Sequence, residues 1–194
     1  MPDTLILTHG AGSNRNAPLL VAVDRAISAL GIRVLRVNLS YREERPTGPP
    51  RPGDAARDRA GLREIVLKAR SEHDGRVFLG GHSYGGRQAS MLAAEEPGLI
   101  EGLLLLSYPL HPPRKPDQLR TSHFPNLRTQ ALFIHGTRDP FGLPAELEAA
   151  LKLIPAQTTL VLIEGAGHDL KSADIGERVA SAFAVAGLPK QENL

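Results

Sequence analysis

Short apolar segments alternate along the chain with longer segments in which apolar residues recur at helical spacing. Five short segments are almost entirely apolar: 5–7, 77–79, 103–106, 131–134 and 160–163. A sixth, 32–39, is interrupted by Arg33 and Arg36. Segments this short and this apolar are typical of strands that are buried on both faces of a parallel sheet.

The segments between these strands are predicted to be helices. Apolar residues recur three or four positions apart in segments 19–30, 62–69, 143–151 and 175–186. Gly31 and Asp54 stand where a helix C-cap and a helix N-cap are expected. Strands that alternate regularly with helices predict βαβ units joined by right-handed crossovers. We therefore expect an α/β fold, a three-layer α/β/α sandwich with a parallel sheet in the middle.

Two segments interrupt this alternation. Residues 42–53 are rich in proline and charge, which favours a surface loop, and residues 108–128 form a longer excursion after the fourth strand. The chain has neither an internal repeat nor a segment with the composition of a domain linker. We therefore expect a single domain over residues 1–188, followed by a frayed tail over 189–194.

Composition narrows the class of protein. The 194 residues, of which 41% are hydrophobic and 23% charged, are typical of a globular domain. The lack of cysteine excludes disulfides, thiolate metal ligands and a cysteine nucleophile. A net charge of +2 gives no argument for a nucleic-acid partner. Since we find neither a membrane-spanning run nor a signal-like N-terminus, we expect a cytoplasmic protein with no membrane, metal or cofactor.

A candidate nucleophile lies where the apolar run 77–80 meets a predicted helix over 85–95. Residues 81–85 read Gly-His-Ser-Tyr-Gly, the G-x-S-x-G pattern of a nucleophile elbow. Such a turn exposes the Ser83 hydroxyl and strains the backbone at that residue. It also leaves no room for side chains two positions away, which accounts for Gly81 and Gly85. The pentapeptide also fits a glycine-rich turn that caps a helix, but the strand before it and the helix after it favour the elbow.

Partners for this serine follow later in the chain. A serine hydroxyl needs a base to accept its proton, and that base is a histidine oriented by a carboxylate. Asp139 comes just after the strand 131–135, and His168 just after the strand 159–164. Both are expected at the same sheet edge as Ser83, because the carboxyl ends of parallel strands share one edge. Asp169 is a rival acid, but adjacent residues rarely orient one another's rings, so Asp139 is preferred.

Two backbone N–H groups are expected to bind the oxyanion of a tetrahedral intermediate. One belongs to Tyr84, directly after the nucleophile, and the other to Ala11 or Gly12 in the loop after the first strand. Because glycine has no side chain, Gly10 and Gly12 would let the backbone of that loop approach the oxyanion closely. A phosphate-binding turn is the alternative for this loop, but a dinucleotide fingerprint needs glycine where Arg15 stands, and no P-loop motif follows.

Other polar residues near these motifs are predicted either to contact the substrate or to have an ordinary structural role. Arg87 and His111 are candidate substrate-binding residues, and Arg87 together with Arg114, Lys115 and Arg120 predicts a mildly positive pocket rim. His82 is expected to point away from the nucleophile. Ordinary packing or backbone contacts are expected for the remaining histidines: His9, His73, His123 and His135.

With these motifs in place, the chain resembles the α/β-hydrolase superfamily over essentially its full length. Segments 107–127 and 132–142 are similar, more narrowly, to a small predicted-hydrolase family related to dienelactone hydrolases. That family includes testis-expressed and histone-acetyltransferase-complex (NSL complex) relatives in animals. The resemblance implies a minimal fold of about six parallel strands in the order 2-1-3-4-5-6. It also implies that the first two strands of the usual fold and any lid domain are missing, with strand 32–39 at an edge, where its arginines discourage further pairing.

Dienelactone hydrolases use cysteine at the elbow, so Ser83 indicates acyl-ester chemistry instead. We expect a serine hydrolase that cleaves a small carboxylic ester or thioester through an acyl-enzyme. The alternative is a scaffold or regulatory protein that keeps the hydrolase fold with weak or no catalysis, as relatives in chromatin complexes imply. The acyl group, the leaving group and the oligomeric state stay open.

Overall fold

A parallel six-stranded sheet forms the centre of the computed structural model, which describes residues 2–72 and 74–188. The sheet order is β2-β1-β3-β4-β5-β6, and every neighbouring pair is parallel. The predicted topology is therefore confirmed. The strands are β1 (Thr4–Thr8), β2 (Arg33–Val37), β3 (Val77–His82), β4 (Gly102–Leu106), β5 (Ala131–Gly136) and β6 (Thr158–Ile163).

Helices cover both faces of this sheet. They are α1 (Pro18–Ser28), α2 (Ser40–Glu44), α3 (Asp54–Glu72), α4 (Tyr84–Glu95), α5 (Pro144–Leu151) and α6 (Ile175–Val185), with a short 3₁₀ helix at Phe124–Asn126. Across the described part of the chain, no helix is both long enough and apolar enough to cross a bilayer.

Two buried clusters, one on each face, hold the three layers together. Along β1, Leu5 and Leu7 pack with α1 and α6, whereas Ile6 packs with α3, α4 and α5. This is the alternation that a strand imposes on its side chains. Because both faces are covered, every residue of β1 is buried, which is why its three central residues are all apolar. The predicted sandwich is therefore confirmed.

Strand β2 lies at one edge of the sheet, as the family resemblance implied. The Nε atom of Arg36 pairs with Asp24 Oδ2 of α1 at 2.7 Å. Arg33 Nη1 lies 3.8 Å from Glu72 Oε2 of α3. Charged side chains along this edge discourage pairing with another strand.

The segment 42–53 is less loop-like than its composition predicts. Its first residues belong to α2, where the Arg42 side chain is buried. Arg42 donates from Nε to Ser13 O at 2.7 Å and from Nη2 to Gly48 O at 2.8 Å. The Asp54 carboxylate accepts from the Arg51 N–H at 2.6 Å, which fixes the end of this segment. Helix α3 begins at Asp54 itself, one residue earlier than an N-cap at Asp54 predicts.

At the amino edge of the sheet, the Arg76 side chain binds two residues that are distant from it along the chain. Its Nη2 atom donates to Asp3 Oδ2 at 2.6 Å, and its Nη1 atom donates to Leu188 O at 2.7 Å. The predicted tail 189–194 and His73 lie outside the described residues.

Candidate active site

Ser83 occupies a strained turn between β3 and α4. Its backbone angles are φ 51° and ψ −117°, a conformation that side-chain-bearing residues rarely adopt. The N–H of Ser83 still donates to Leu106 O of β4 at 2.8 Å, and the Ser83 carbonyl accepts from the Arg87 N–H at 2.9 Å. The turn is therefore held from the sheet on one side and from the helix on the other. The strain predicted from the pentapeptide is present.

The glycines on either side of Ser83 occupy positions where a side chain would clash with the backbone. A Cβ atom on Gly81 would lie 2.7 Å from Thr8 O and 2.9 Å from Gly86 N. A Cβ atom on Gly85 would lie 2.5 Å from His9 O. These neighbours are backbone atoms that cannot rotate away, so any larger residue would push α4 off the sheet.

Ser83, His168 and Asp139 meet at the carboxyl edge of the sheet. Ser83 Oγ lies 2.8 Å from His168 Nε2, and His168 Nδ1 lies 2.8 Å from Asp139 Oδ2 and 3.0 Å from Oδ1. The fully buried Asp139 carboxylate accepts the Nδ1–H proton. This leaves the Nε2 lone pair of His168 facing the serine hydroxyl, the arrangement in which an imidazole can accept a proton.

Neighbouring groups fix the positions of the acid and the imidazole. Asp139 Oδ1 accepts from the Phe141 N–H at 2.9 Å, so the carboxylate is held by its own turn. The Phe141 ring stacks on the His168 ring at 4.1 Å between centroids and 28° between planes. Sequence reasoning did not find Phe141, although its position two residues after Asp139 places it at the same strand end.

His82 is closer to the site than the sequence predicted. Instead of pointing away, its ring lies 5.2 Å from the His168 ring, and both line the cavity at Ser83. The Nε2–H of His82 donates to the His168 carbonyl at 2.8 Å. Burial lowers the pKa of His82, which favours the neutral ring. His82 thus holds the loop that carries His168.

A turn formed by Gly10–Ser13 faces the serine from β1. The Ser13 N–H donates to Gly10 O at 3.1 Å, and Ala11 and Gly12 between them line the cavity. A Cβ atom on Gly10 would lie 2.9 Å from His82 Nδ1, so close approach explains this glycine. Gly12 has open space around it, which means that close approach does not explain it. Among the described residues, the N–H groups of Ala11, Gly12 and Tyr84 donate to no protein acceptor.

Behind this turn lies a buried network that the sequence analysis missed. The Tyr41 hydroxyl donates to Ala11 O at 3.1 Å, while Asp58 accepts from the Tyr41 N–H at 3.0 Å and the Tyr84 hydroxyl at 2.8 Å. Burial raises the pKa of Asp58, and the two donors oppose that shift. The sequence did contain a signal for this network. Asp58 stands four residues before Leu62, on the buried face of α3, and a carboxylate at a buried position needs hydrogen-bond donors.

His9 has the structural role expected of it. Its Nδ1–H donates to Gly10 O at 2.8 Å, and its Nε2 accepts from the Leu39 N–H at 3.1 Å. Burial lowers the pKa of His9, so the neutral ring joins β1 to the start of α2.

A cavity of about 590 Å³ opens beside Ser83. Arg87 and Arg120 line it, together with Tyr84, Pro109 and the loop residues already described. Arg87 therefore lies where the sequence placed it. A more apolar cavity of about 730 Å³ adjoins the first and shares Ser13, His82 and Asp169 with it.

His111, the other candidate for substrate binding, is not among the residues that line the Ser83 cavity. Its ring is buried, with Nε2 3.3 Å from Glu146 Oε2 of α5. The same carboxylate oxygen accepts from the Leu143 N–H at 2.7 Å, so His111 braces the start of that helix. Within residues 2–72 and 74–188, no group of three or more His, Asp and Glu side chains is arranged to hold a metal ion.

Known proteins share this architecture. Dienelactone hydrolase from Anabaena variabilis is 22% identical, with a TM-score of 0.75 over 96% of this chain and 86% of that one. Est1E from Butyrivibrio proteoclasticus with ferulic acid bound is 17% identical, with a TM-score of 0.77 over 96% and 90%. A protein from Thermus thermophilus is 22% identical, with a TM-score of 0.76 over 98% and 91%.

The family model described as an alpha/beta hydrolase domain matches residues 2–184. The resemblance noted in the sequence is therefore confirmed at this level, and it supports a hydrolase activity. The relation to the animal NSL-complex proteins stays a prediction. The strained turn at Ser83, the order of the strands and the match to the family model all point to the same family. The chain belongs to the alpha/beta hydrolase domain family.

Proposed function

We propose that the protein is a serine hydrolase that cleaves a small carboxylic ester or thioester through an acyl-enzyme. The observation that carries this proposal is the continuous chain of contacts from Ser83 Oγ through His168 to Asp139, at 2.8 Å for each of its two links. A serine hydroxyl in this setting can lose its proton as it attacks, which is what acyl transfer requires.

In the first half of the reaction, Ser83 Oγ attacks the carbonyl carbon as its proton passes to His168 Nε2. The buried Asp139 carboxylate stabilises the imidazolium and keeps its ring oriented. The bond to the leaving group then breaks. His168 gives its proton to the departing oxygen or sulfur, and the acyl group stays on Ser83.

The second half repeats these steps with water. His168 accepts a proton from a water molecule as that water attacks the acyl carbon. The bond to Ser83 Oγ breaks, the proton returns to the serine oxygen, and the carboxylic acid leaves. The same base serves both halves because its position does not change.

Charge that develops on the carbonyl oxygen needs donors already in place. The Tyr84 N–H at the start of α4 and the N–H of Ala11 or Gly12 are the donors that we assign, because all three residues line the cavity at Ser83. The Tyr41–Ala11 hydrogen bond keeps the second donor close to the serine. Each such donor is worth about 10²–10³-fold in kcat.

A fluorophosphonate probe tests the nucleophile directly. We expect it to label the wild-type protein at Ser83, with loss of labelling in Ser83→Ala. Hydrolysis of p-nitrophenyl acetate should fall by about 10⁴-fold or more in the same variant. Ser181→Ala is the matched control, since Ser181 is an exposed residue of α6.

A folded wild-type protein that the probe does not label would contradict the proposal. Turnover that is equal in wild type and Ser83→Ala would do the same. Either result would favour the alternative of a hydrolase-fold scaffold with no serine chemistry.

A further inference from the structure

Two arginines from different parts of the chain share the cavity at Ser83. Arg87 lies in the first turn of α4, and Arg120 lies in the long loop after β4. The Arg87 Nε atom is buried and has no hydrogen-bond partner within the described part of the chain. Across residues 2–72 and 74–188, neither guanidinium pairs with a carboxylate.

Other arginines of this protein have either a carboxylate or several backbone acceptors. Ion pairs with Asp or Glu are made by a group that includes Arg36, Arg45, Arg57, Arg59, Arg63, Arg70 and Arg76. The buried Arg42 has no such pair among the described residues, but it donates to the carbonyls of Ser13, Arg45 and Gly48. Leaving two guanidinium groups without counterions beside one cavity is costly, because each is partly desolvated there. Arg120 Nη1 has one long hydrogen bond, to Pro109 O at 3.4 Å, which does not neutralise its charge. A cation that the fold leaves without a counterion at such a place fits a ligand better than it fits the apo protein.

The two positive charges also act on each other. Burial lowers the pKa of Arg120, and the charge of Arg87 lowers it further. The carboxylate of Asp169 lines the same cavity, but it lies 3.6 Å from Lys171 Nζ and is bound to neither arginine. An anion between the guanidinium groups would remove their repulsion and supply the missing partner.

We propose that Arg87 and Arg120 form a subsite for a carboxylate, so that the ester cleaved at Ser83 carries a negative charge. The planar fork of a guanidinium matches the two oxygens of a carboxylate, and both cations can donate to one such group. The identity of the substrate rests on the proposed function. Binding of the anion does not, because it needs no reaction at Ser83.

Binding to the Ser83→Ala variant measures the subsite without turnover. Two pairs of ligands, each matched in size, serve as probes: 4-acetoxybenzoate against 4-acetoxybenzamide, and mono-p-nitrophenyl adipate against the corresponding adipamide ester. The first pair places the charge on the leaving group and the second places it on the acyl group. In calorimetry we expect the anion of at least one pair to bind about 10- to 100-fold more tightly than its amide.

The preference should disappear when either arginine is removed. Arg87→Gln and Arg120→Gln, each made in the Ser83→Ala protein, should bring the Kd of the anion close to that of the amide. Arg87→Lys should keep part of the preference, because it keeps the charge and loses the fork. Arg63→Gln is the matched control, because Arg63 lies on α3 and pairs with Glu96 at 2.6 Å. Melting curves show that each variant is folded.

The outcomes separate this subsite from the esterase chemistry. Equal affinity within both ligand pairs, or a preference that survives both substitutions, would overturn the subsite even if the fluorophosphonate probe labels Ser83. Anion binding that Arg87→Gln abolishes would support the subsite even if the wild-type protein hydrolyses none of the esters. No detectable binding of either anion at millimolar concentration would also overturn it.

Discussion

The cavity at Ser83 has two walls that are built in opposite ways. The histidine wall, formed by Asp139, His168, Phe141 and His82, is saturated: both nitrogens of His168 and both oxygens of Asp139 have partners. The arginine wall, formed by Arg87 and Arg120, includes a buried Nε atom of Arg87 that has no hydrogen-bond partner among the described residues. Catalytic orientation requires contacts that are already made, whereas recognition of a charged ligand requires contacts that are still to be made. The difference between the walls agrees with the two tasks that we propose for them.

Breaking the histidine wall should give the largest effect. In Asp139→Asn the amide cannot hold the imidazole in the tautomer that leaves Nε2 free to accept the serine proton. We expect kcat/KM for p-nitrophenyl acetate to fall about 10⁴-fold, measured by steady-state kinetics. Asp74→Asn, at an exposed position, should behave as wild type. More than a tenth of the activity remaining in Asp139→Asn would mean that Asp139 does not orient the base.

The charge of Arg87 in the arginine wall should instead act on His123, and through it on the pH dependence of stability. Burial and the charges of Arg87 and Arg59 lower the pKa of His123 to about 4, while Ser90 Oγ lies 2.8 Å from its Nε2. The unfolded chain therefore binds a proton at a higher pH than the folded protein. The neutral ring stabilises the fold above about pH 6.5, and this contribution is lost as the pH falls towards 4.

His123→Gln tests this dependence. Between pH 7 and pH 5, the free energy of unfolding of the wild type should fall by about 2 kcal/mol more than that of the variant. Urea denaturation at the two pH values measures it, and the other buried histidines cancel because both proteins keep them. An equal loss in both proteins would show that His123 titrates normally.

The smallest of these effects concerns the hydrogen bond from His82 to the His168 carbonyl. His82→Leu removes the donor that holds this loop, and we expect kcat to fall about tenfold with KM nearly unchanged. His82→Gln, which keeps an N–H donor, should recover part of the loss. If both substitutions raise KM and leave kcat unchanged, His82 contacts substrate and does not position His168.

The parts of this molecule that the sequence predicted share one physical reason. Short apolar runs between helical segments predicted six parallel strands, and parallel strands bring their carboxyl ends to a common edge. That rule alone placed Ser83, Asp139 and His168 together, although 85 residues separate the first from the last. Gly81 and Gly85 added the turn, because only glycine fits where backbone atoms come this close.

The parts that it missed depend on the paths of loops. Arg120 reaches the cavity because the segment after β4 folds back, with the Arg120 N–H donating to Leu110 O at 2.8 Å. No periodicity encodes such a path, so the sequence could name Arg120 only as one of four residues of a positive pocket rim, of which Arg114 and Lys115 are not among the residues that line the cavity. His82 was assigned wrongly for a similar reason, since adjacency to a nucleophile does not tell where a ring points. The helix α2 was not predicted, because the prolines that follow it made the whole segment 42–53 look like a loop.

The hydrogen bonds from Arg76 to Asp3 and Leu188 have a practical consequence for attaching other groups to this protein. Asp3 and Leu188 are bound to the same side chain, so both ends of the described part of the chain lie at one corner. That corner precedes the first strand and therefore lies across the sheet from the cleft. An affinity tag or a fused partner joined directly at residue 3 or 188 would start on the side away from the cleft, and a short peptide joining these two residues would close the chain into a ring.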